Sequence, residues 1–152
     1  MINYFDASAL VKRYVDEPGS HAVETLLESG SAATARYSHV EILSAAARRY
    51  RDGDITAPDF RGIRAALRSD FDVLVVVELT AEVVAESERL LVRHSLRAGD
   101  ALQLASCLVL QERMGLPVAF VAFDQRCNEA AAAEGLTLRG DDGSHHTPGS
   151  KR

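Results

Sequence analysis

The sequence predicts an α/β protein, a three-layer α/β/α sandwich around a central parallel sheet of four to five strands. Three observations predict it. Short runs rich in Val, Ala and Phe recur at 2–5, 31–35 ("SAATA"), 73–77 ("VLVVV"), 117–123 ("PVAFVAF") and, weakly, 136–138. These runs have the apolar character of strands covered on both faces, and segments of helical spacing separate them. Finally, 152 residues with 47% hydrophobic content suffice for one domain with a real core, and not comfortably for two.

Each element has its own local reason. After the first run, Ala9, Leu10, Arg13 and Tyr14 recur at helical spacing, which predicts a helix over 7–16. A second is expected over 19–29, with Pro18 at its start, and a third over 37–51, ending near Gly53. The fourth, 57–69, begins after Thr56 with Pro58 in its first turn. Thr80 caps a helix over 80–94 that opens "TAEVV". The last two cover 99–114, closed by Gly115 and Pro117, and 125–134, closed by Gly135. No internal repeat is visible. The domain is expected to span 1–139, and the tail 140–152, "GDDGSHHTPGSKR", lacks apolar periodicity and reads as disordered.

Composition excludes several classes. No apolar run approaches the ~20 residues of a membrane span. Asp6 and Lys12 interrupt any signal-peptide core, so a cytoplasmic location is expected, with no membrane partner. Cys107 and Cys127 lie in apolar helical contexts and read as reduced core thiols. The net charge of −5 speaks against nucleic acid, yet its distribution qualifies that. Lys12 and Lys151 are the only lysines; every other basic residue is an arginine, whose planar fork suits phosphate. Seven arginines between Arg36 and Arg68 face four acids, although Arg61, Arg64 and Arg68 on one helical face also fit a solvated surface.

The acids carry more information. Ligands of an open parallel sheet bind at the carboxyl ends of its strands. Asp6 and Asp124 fall at such junctions, and Asp100 opens a helix behind "AG". Glu41 lies inside a helix, one turn past strand two, on a partly apolar face where an acid needs a partner. Each has a plain structural reading: capping or helix-dipole contact for the three aspartates, an ion pair with Arg48 or another arginine for Glu41. Taken together those readings weaken, because four converging carboxylates repel one another unless a cation neutralises them. Hard oxygen donors in this number suit Mg²⁺, or Mn²⁺ as a substitute. Such a site supports phosphodiester hydrolysis by metal-activated water, and two divalent ions would bring the net charge from −5 to −1. No Cys/His set stands at zinc spacing; His39 is expected to point away from Glu41, and His145 and His146 lie in the tail.

At this point the chain resembles a known family. "YFDASALVKRY", "VEILSAAAR", "LRAGDALQLASC" and "FVAFDQRCNEAAAAEGL" together resemble the PIN-domain ribonucleases, specifically VapC-type toxins of type II toxin–antitoxin pairs. The resemblance runs from residue 2 to about 138, with all four acidic segments in family order. It implies a Mg²⁺-dependent endoribonuclease toxin acting on RNA, silenced by a cognate antitoxin protein and assembled as a homodimer. Asp6, Glu41, Asp100 and Asp124 match the acidic quartet that would be catalytic and hold metal. Ser8 matches a hydroxyl position that would bind Asp6 or a metal-bound water. Lys12 matches a basic position of helix one, with an ion pair to Asp16 as its structural alternative. Ala122 departs from the pattern, because family members often carry Thr or Ser two residues before the last acid. The rival reading is a non-catalytic PIN-fold module that binds RNA or protein. A receiver-like phosphotransfer domain would need an acidic pair near strand one, where "YFDAS" offers a single acid.

Overall fold

The computed structural model describes residues 1–140. Five strands form one sheet: β1 (Ile2–Phe5), β2 (Ala32–Ala35), β3 (Val75–Val77), β4 (Val118–Val121) and β5 (Thr137–Arg139). Their order is β3-β2-β1-β4-β5, and every neighbouring pair is parallel. The helices are α1 (Ala7–Leu10) with a 3₁₀ turn (Val11–Arg13), α2 (Ser20–Glu28), α3 (Arg36–Arg51), α4 (Ala57–Phe71), α5 (Ala81–Arg93), α6 (Ala98–Met114) and α7 (Gln125–Ala133). The expected three-layer α/β/α sandwich with a parallel sheet is the architecture found.

Alternation of side chains along the central strands divides the core in two. Tyr4 and Phe120 are register partners facing α5–α7, and their rings stack with centroids 6.0 Å apart. Phe5 and Val121, the next pair, face the opposite way, into a cluster with Leu10, Val23, Ile42, Leu67 and Phe71 from α1–α4. Burial of each such side chain is worth about 1.5–3 kcal/mol, which holds both helical layers to one sheet.

The sheet order reverses between β1 and β4. From β1 the chain proceeds outward through β2 to β3, then returns to lay β4 and β5 on the other side. In parallel α/β sheets this reversal opens a crevice beyond the strands' carboxyl ends, because consecutive connections leave on opposite faces. The backbone N–H of Asp6 donates to the carbonyl of Val121 across 3.1 Å, tying the two strand ends together there.

One element differs from expectation. The helix expected over 7–16 stops after a turn of α-helix and a turn of 3₁₀. Pro18 disfavours helical backbone at Glu17, and Gly19 turns the chain through a left-handed φ of 95°. Lys12 Nζ fastens the loop by donating to the Pro18 carbonyl (2.8 Å) and Glu17 (3.0 Å), so its partner is Glu17 rather than Asp16. Cys107 and Cys127 are free and buried, as expected. Among the described residues no helix is long and apolar enough to cross a membrane. Apart from Gly140, the expected tail, including His145 and His146, lies outside the described residues.

Candidate active site

Asp6 ends β1 in extended conformation and caps α1, its Oδ1 accepting the backbone N–H of Ala9 (2.9 Å). The same oxygen accepts the Ser8 hydroxyl at 2.7 Å. Ser8 Oγ in turn accepts the backbone N–H of Phe123 at 3.3 Å, so one hydroxyl bridges the β1–α1 junction to the β4–α7 loop. Of the two partners expected for Ser8, Asp6 is the one it touches. Asp6 is only 4% exposed, and among the described residues no donor engages its Oδ2.

Glu41 reaches the same region from α3. Its Oε2 accepts from Gln103 Nε2 of α6 at 2.9 Å, and among the described residues it pairs with neither Arg48 nor another arginine. Its Oε1 lies against the first turn of α6, where a Cβ on Gly99 would stand only 2.8 Å away. The close approach of α3 to α6 therefore uses the absence of a side chain at Gly99.

Asp100 is the third residue of α6, not its cap. The helix begins at Ala98 with Arg97 at the cap position, so "AG" belongs to the first turn instead of preceding the helix. A carboxylate in that turn interacts favourably with the helix dipole. Asp124 does cap α7, with Oδ1 accepting the Cys127 N–H at 2.9 Å, and its side chain is exposed. Ala122 is fully buried, and its carbonyl accepts Asn128 Nδ2 at 2.9 Å. His39 points elsewhere, packed edge-on against Phe71.

The carboxylates share one field. Burial, aided by the charges of Glu41 and Asp100, pushes Asp6 from its ordinary 3.8 to about 7, against the opposing hydrogen bonds of Ser8 and Ala9. Glu41 is raised by burial and by Asp100, while its hydrogen bond from Gln103 opposes the rise. The buried Cys127 thiol is raised first by burial, then by Asp6, Asp100, Asp124 and Glu41 together. One side chain thus feels all four acids. Among the described residues, none of the four belongs to an ion pair.

Among the described residues no three His, Cys, Asp or Glu side chains stand close enough to grip one ion directly. The arrangement is an open set of hard oxygen donors that includes the buried carboxylate of Asp6, and among the described residues none of them is neutralised by an ion pair. That chemistry fits an ion that keeps several waters and is held by few carboxylates, as Mg²⁺ is. It does not fit a closed zinc cage.

Sequence reasoning missed Gln103 and Gly99. Gln103 sits inside "GDALQLA" at a helical core position, where an amide is an anomaly worth noticing. Gly99 clears space for Glu41 inside the first turn of α6, a role that nothing in "RAGDA" signals. The arginine excess is also partly committed: Arg36 pairs with Glu78 and Arg49 with Glu17. Arg61, Arg64 and Arg68 stay exposed on α4.

A parallel sheet with acids near its point of reversal defines an α/β protein with a candidate ligand site at its strand ends. The PIN domain family model matches residues 4–133, and the chain belongs to that family. It is 35% identical over 136 residues to two Mycobacterium tuberculosis proteins, ribonuclease VapC45 (strain CDC 1551 / Oshkosh) and ribonuclease VapC49 (strain H37Rv). The match covers 89% of this chain and 92% of each relative. Solved structures share the fold at lower identity. VapC20 of M. tuberculosis, a sarcin–ricin loop cleaving toxin, superimposes with a TM-score of 0.62 at 21% identity, covering 84% of this chain and 94% of that one. VapBC2 of Rickettsia felis, bound to a promoter DNA fragment, gives 0.66 at 13% identity, covering 93% and 100%.

Proposed function

We propose that this chain is a divalent-metal-dependent endoribonuclease, the toxin half of a toxin–antitoxin pair. Support comes from family membership, from two ribonuclease relatives at 35% identity, and from the VapBC assemblies among proteins of the same fold. The observation that carries the reading is Asp6. A carboxylate buried at the β1/β4 reversal, raised to about 7 by burial and by Glu41 and Asp100, is the kind of perturbed acid that gathers at functional sites.

In this reading Asp6, Glu41, Asp100 and Asp124 would hold the ion, Mg²⁺ in the first instance, in part through bound water. Asp6 offers Oδ2 while Ser8 and the α1 backbone fix Oδ1. Glu41 offers Oε1 while Oε2 is held by Gln103. A bound divalent ion supplies Lewis acidity, activating water and stabilising charge on the scissile phosphate. Ser8 sets the angle of Asp6 and couples it to the loop bearing Asp124. The exposed side of Asp124 faces solvent, from which an RNA strand would approach. The protein partner is a cognate antitoxin, and the active assembly is a homodimer of domains spanning 1–139.

The test is cleavage of total cellular RNA by purified, antitoxin-free protein in Mg²⁺, Mn²⁺ or EDTA, beside an Asp6→Asn variant. Discrete fragments that require metal and vanish in the variant are expected. Folded protein that cuts no RNA in any metal would leave a non-catalytic binding module as the better reading.

A further inference from the structure

We propose that Gln103 is a positioning residue, which fixes the carboxylate of Glu41 through a buried hydrogen-bond chain anchored on Tyr4. The inference rests on the metal-site reading above and concerns how that site is held.

Gln103 is 2% exposed on α6, in a stretch of the helix where Ala101, Leu104, Ala105 and Cys107 are buried as well. A buried amide is favourable there only when all its polar groups are engaged. All are. Its Oε1 accepts the Tyr4 hydroxyl at 2.7 Å. Its Nε2 donates to Ser38 Oγ and to Glu41 Oε2, each at 2.9 Å. Ser38 Oγ also meets the Thr34 hydroxyl at 2.8 Å, and Thr34 donates to the Phe5 carbonyl at 2.7 Å.

The polarity of this chain has a consequence. Tyr4 occupies the carbonyl end of the amide, so the amino end must face Glu41. A reversed amide would set a carbonyl oxygen 2.9 Å from a carboxylate oxygen. Tyr4 itself is fixed, fully buried and stacked on Phe120. The carboxylate is therefore caught between a donor on one oxygen and the bare backbone of Gly99 beside the other. A glutamate on a helix has three flexible torsions, and in solvent nothing would select the one that serves a ligand. Packing alone would be met by leucine, which fills a similar space and needs no partners.

The test is Mn²⁺ affinity, followed by electron paramagnetic resonance, in folded full-length variants. Gln103→Leu is expected to weaken Mn²⁺ binding about 10- to 100-fold, as loss of a ligand's orienting partner does. Gln103→Leu also strands the Tyr4 hydroxyl, so the double variant Tyr4→Phe/Gln103→Leu, which removes both partners, is included. Its melting temperature should recover relative to Gln103→Leu while its Mn²⁺ affinity stays weak. Added to Glu41→Ala, Gln103→Leu should cause no further loss, because its effect passes through Glu41. Wild-type affinity in the double variant, or an undiminished effect in the Glu41→Ala background, would overturn this role alone. Failure of the wild-type protein to bind Mn²⁺ at all would overturn the metal-site reading, and this role with it.

Discussion

Glu41 Oε1 occupies the space where a side chain on Gly99 would begin, with an ideal Cβ only 2.8 Å from it. Gly99 lies in the first turn of α6, next to Asp100. One residue without a side chain thus lets Glu41 of α3 come within the field of Asp100 on α6.

Gly99→Ala separates fold from function. Alanine restricts the unfolded chain and suits a helix better than glycine by roughly 0.5–1 kcal/mol. The obstructing atom is the end of a flexible side chain, which can move aside. Thermal stability without metal should hold or rise slightly, while metal-dependent RNA cleavage falls by about tenfold or more, as a displaced ligand implies. Melting curves and initial rates on one preparation check both halves.

Asp6→Asn should stabilise the metal-free protein at alkaline pH. Asn keeps an oxygen for the Ala9 N–H and Ser8 but carries no charge to bury. The wild-type Asp6 titrates near 7 when folded against an ordinary 3.8. Between those values the folded state holds a proton that the unfolded state has lost, so stability from this group falls as pH rises from about 4 to 7 and is level above. The gap in melting temperature between variant and wild type should therefore open across that window and vanish below it. Saturating Mg²⁺ should narrow it by mass action on the wild type.

Ser8→Ala removes the hydrogen bond that opposes the rise of Asp6. The acidic limb of the pH–rate profile should move to higher pH, because protons then compete with the ion more strongly. Stability should drop by about 1 kcal/mol, since the Phe123 N–H loses its acceptor as well. Chemical denaturation and a pH series of initial rates test the pair.

Asp124 is both a cap and a proposed ligand, and two substitutions divide those roles. Asp124→Asn should keep the cap on the Cys127 N–H while abolishing most cleavage. Asp124→Ala should lose cleavage equally and, in addition, about 1 kcal/mol of stability. Full activity in Asp124→Asn would reduce Asp124 to a cap.

Much of this architecture was legible in sequence because local rules and global fold agree. Val118–Val121 reads as a buried strand, α4 begins after Thr56 with Pro58 in its first turn, and Gly115 ends α6 in a left-handed turn of φ 62°. Asp6 and Asp124 were legible as junction residues because an acid after each strand interrupts an apolar pattern. What escaped depends on distant contacts. Gln103 is given meaning by Tyr4 and Glu41, which no local window contains. The strand order that brings Asp6 beside Val121 arises from packing of whole connections and leaves no mark on either residue. The short α1 was misread since Tyr14 continues the helical spacing while Pro18 and Gly19, a turn later, dictate the turn.

The central claim is that the acids at the β1/β4 reversal hold a divalent ion. A crystal grown or soaked in millimolar Mn²⁺ tests it most directly, through the anomalous difference map. The expected result is a peak within coordinating distance of Asp6 Oδ2, with Glu41 and Asp100 bound directly or through water, and no peak in an Asp6→Asn crystal. An empty site in well-ordered wild-type crystals, with Mn²⁺ absent from all four acids, would contradict it.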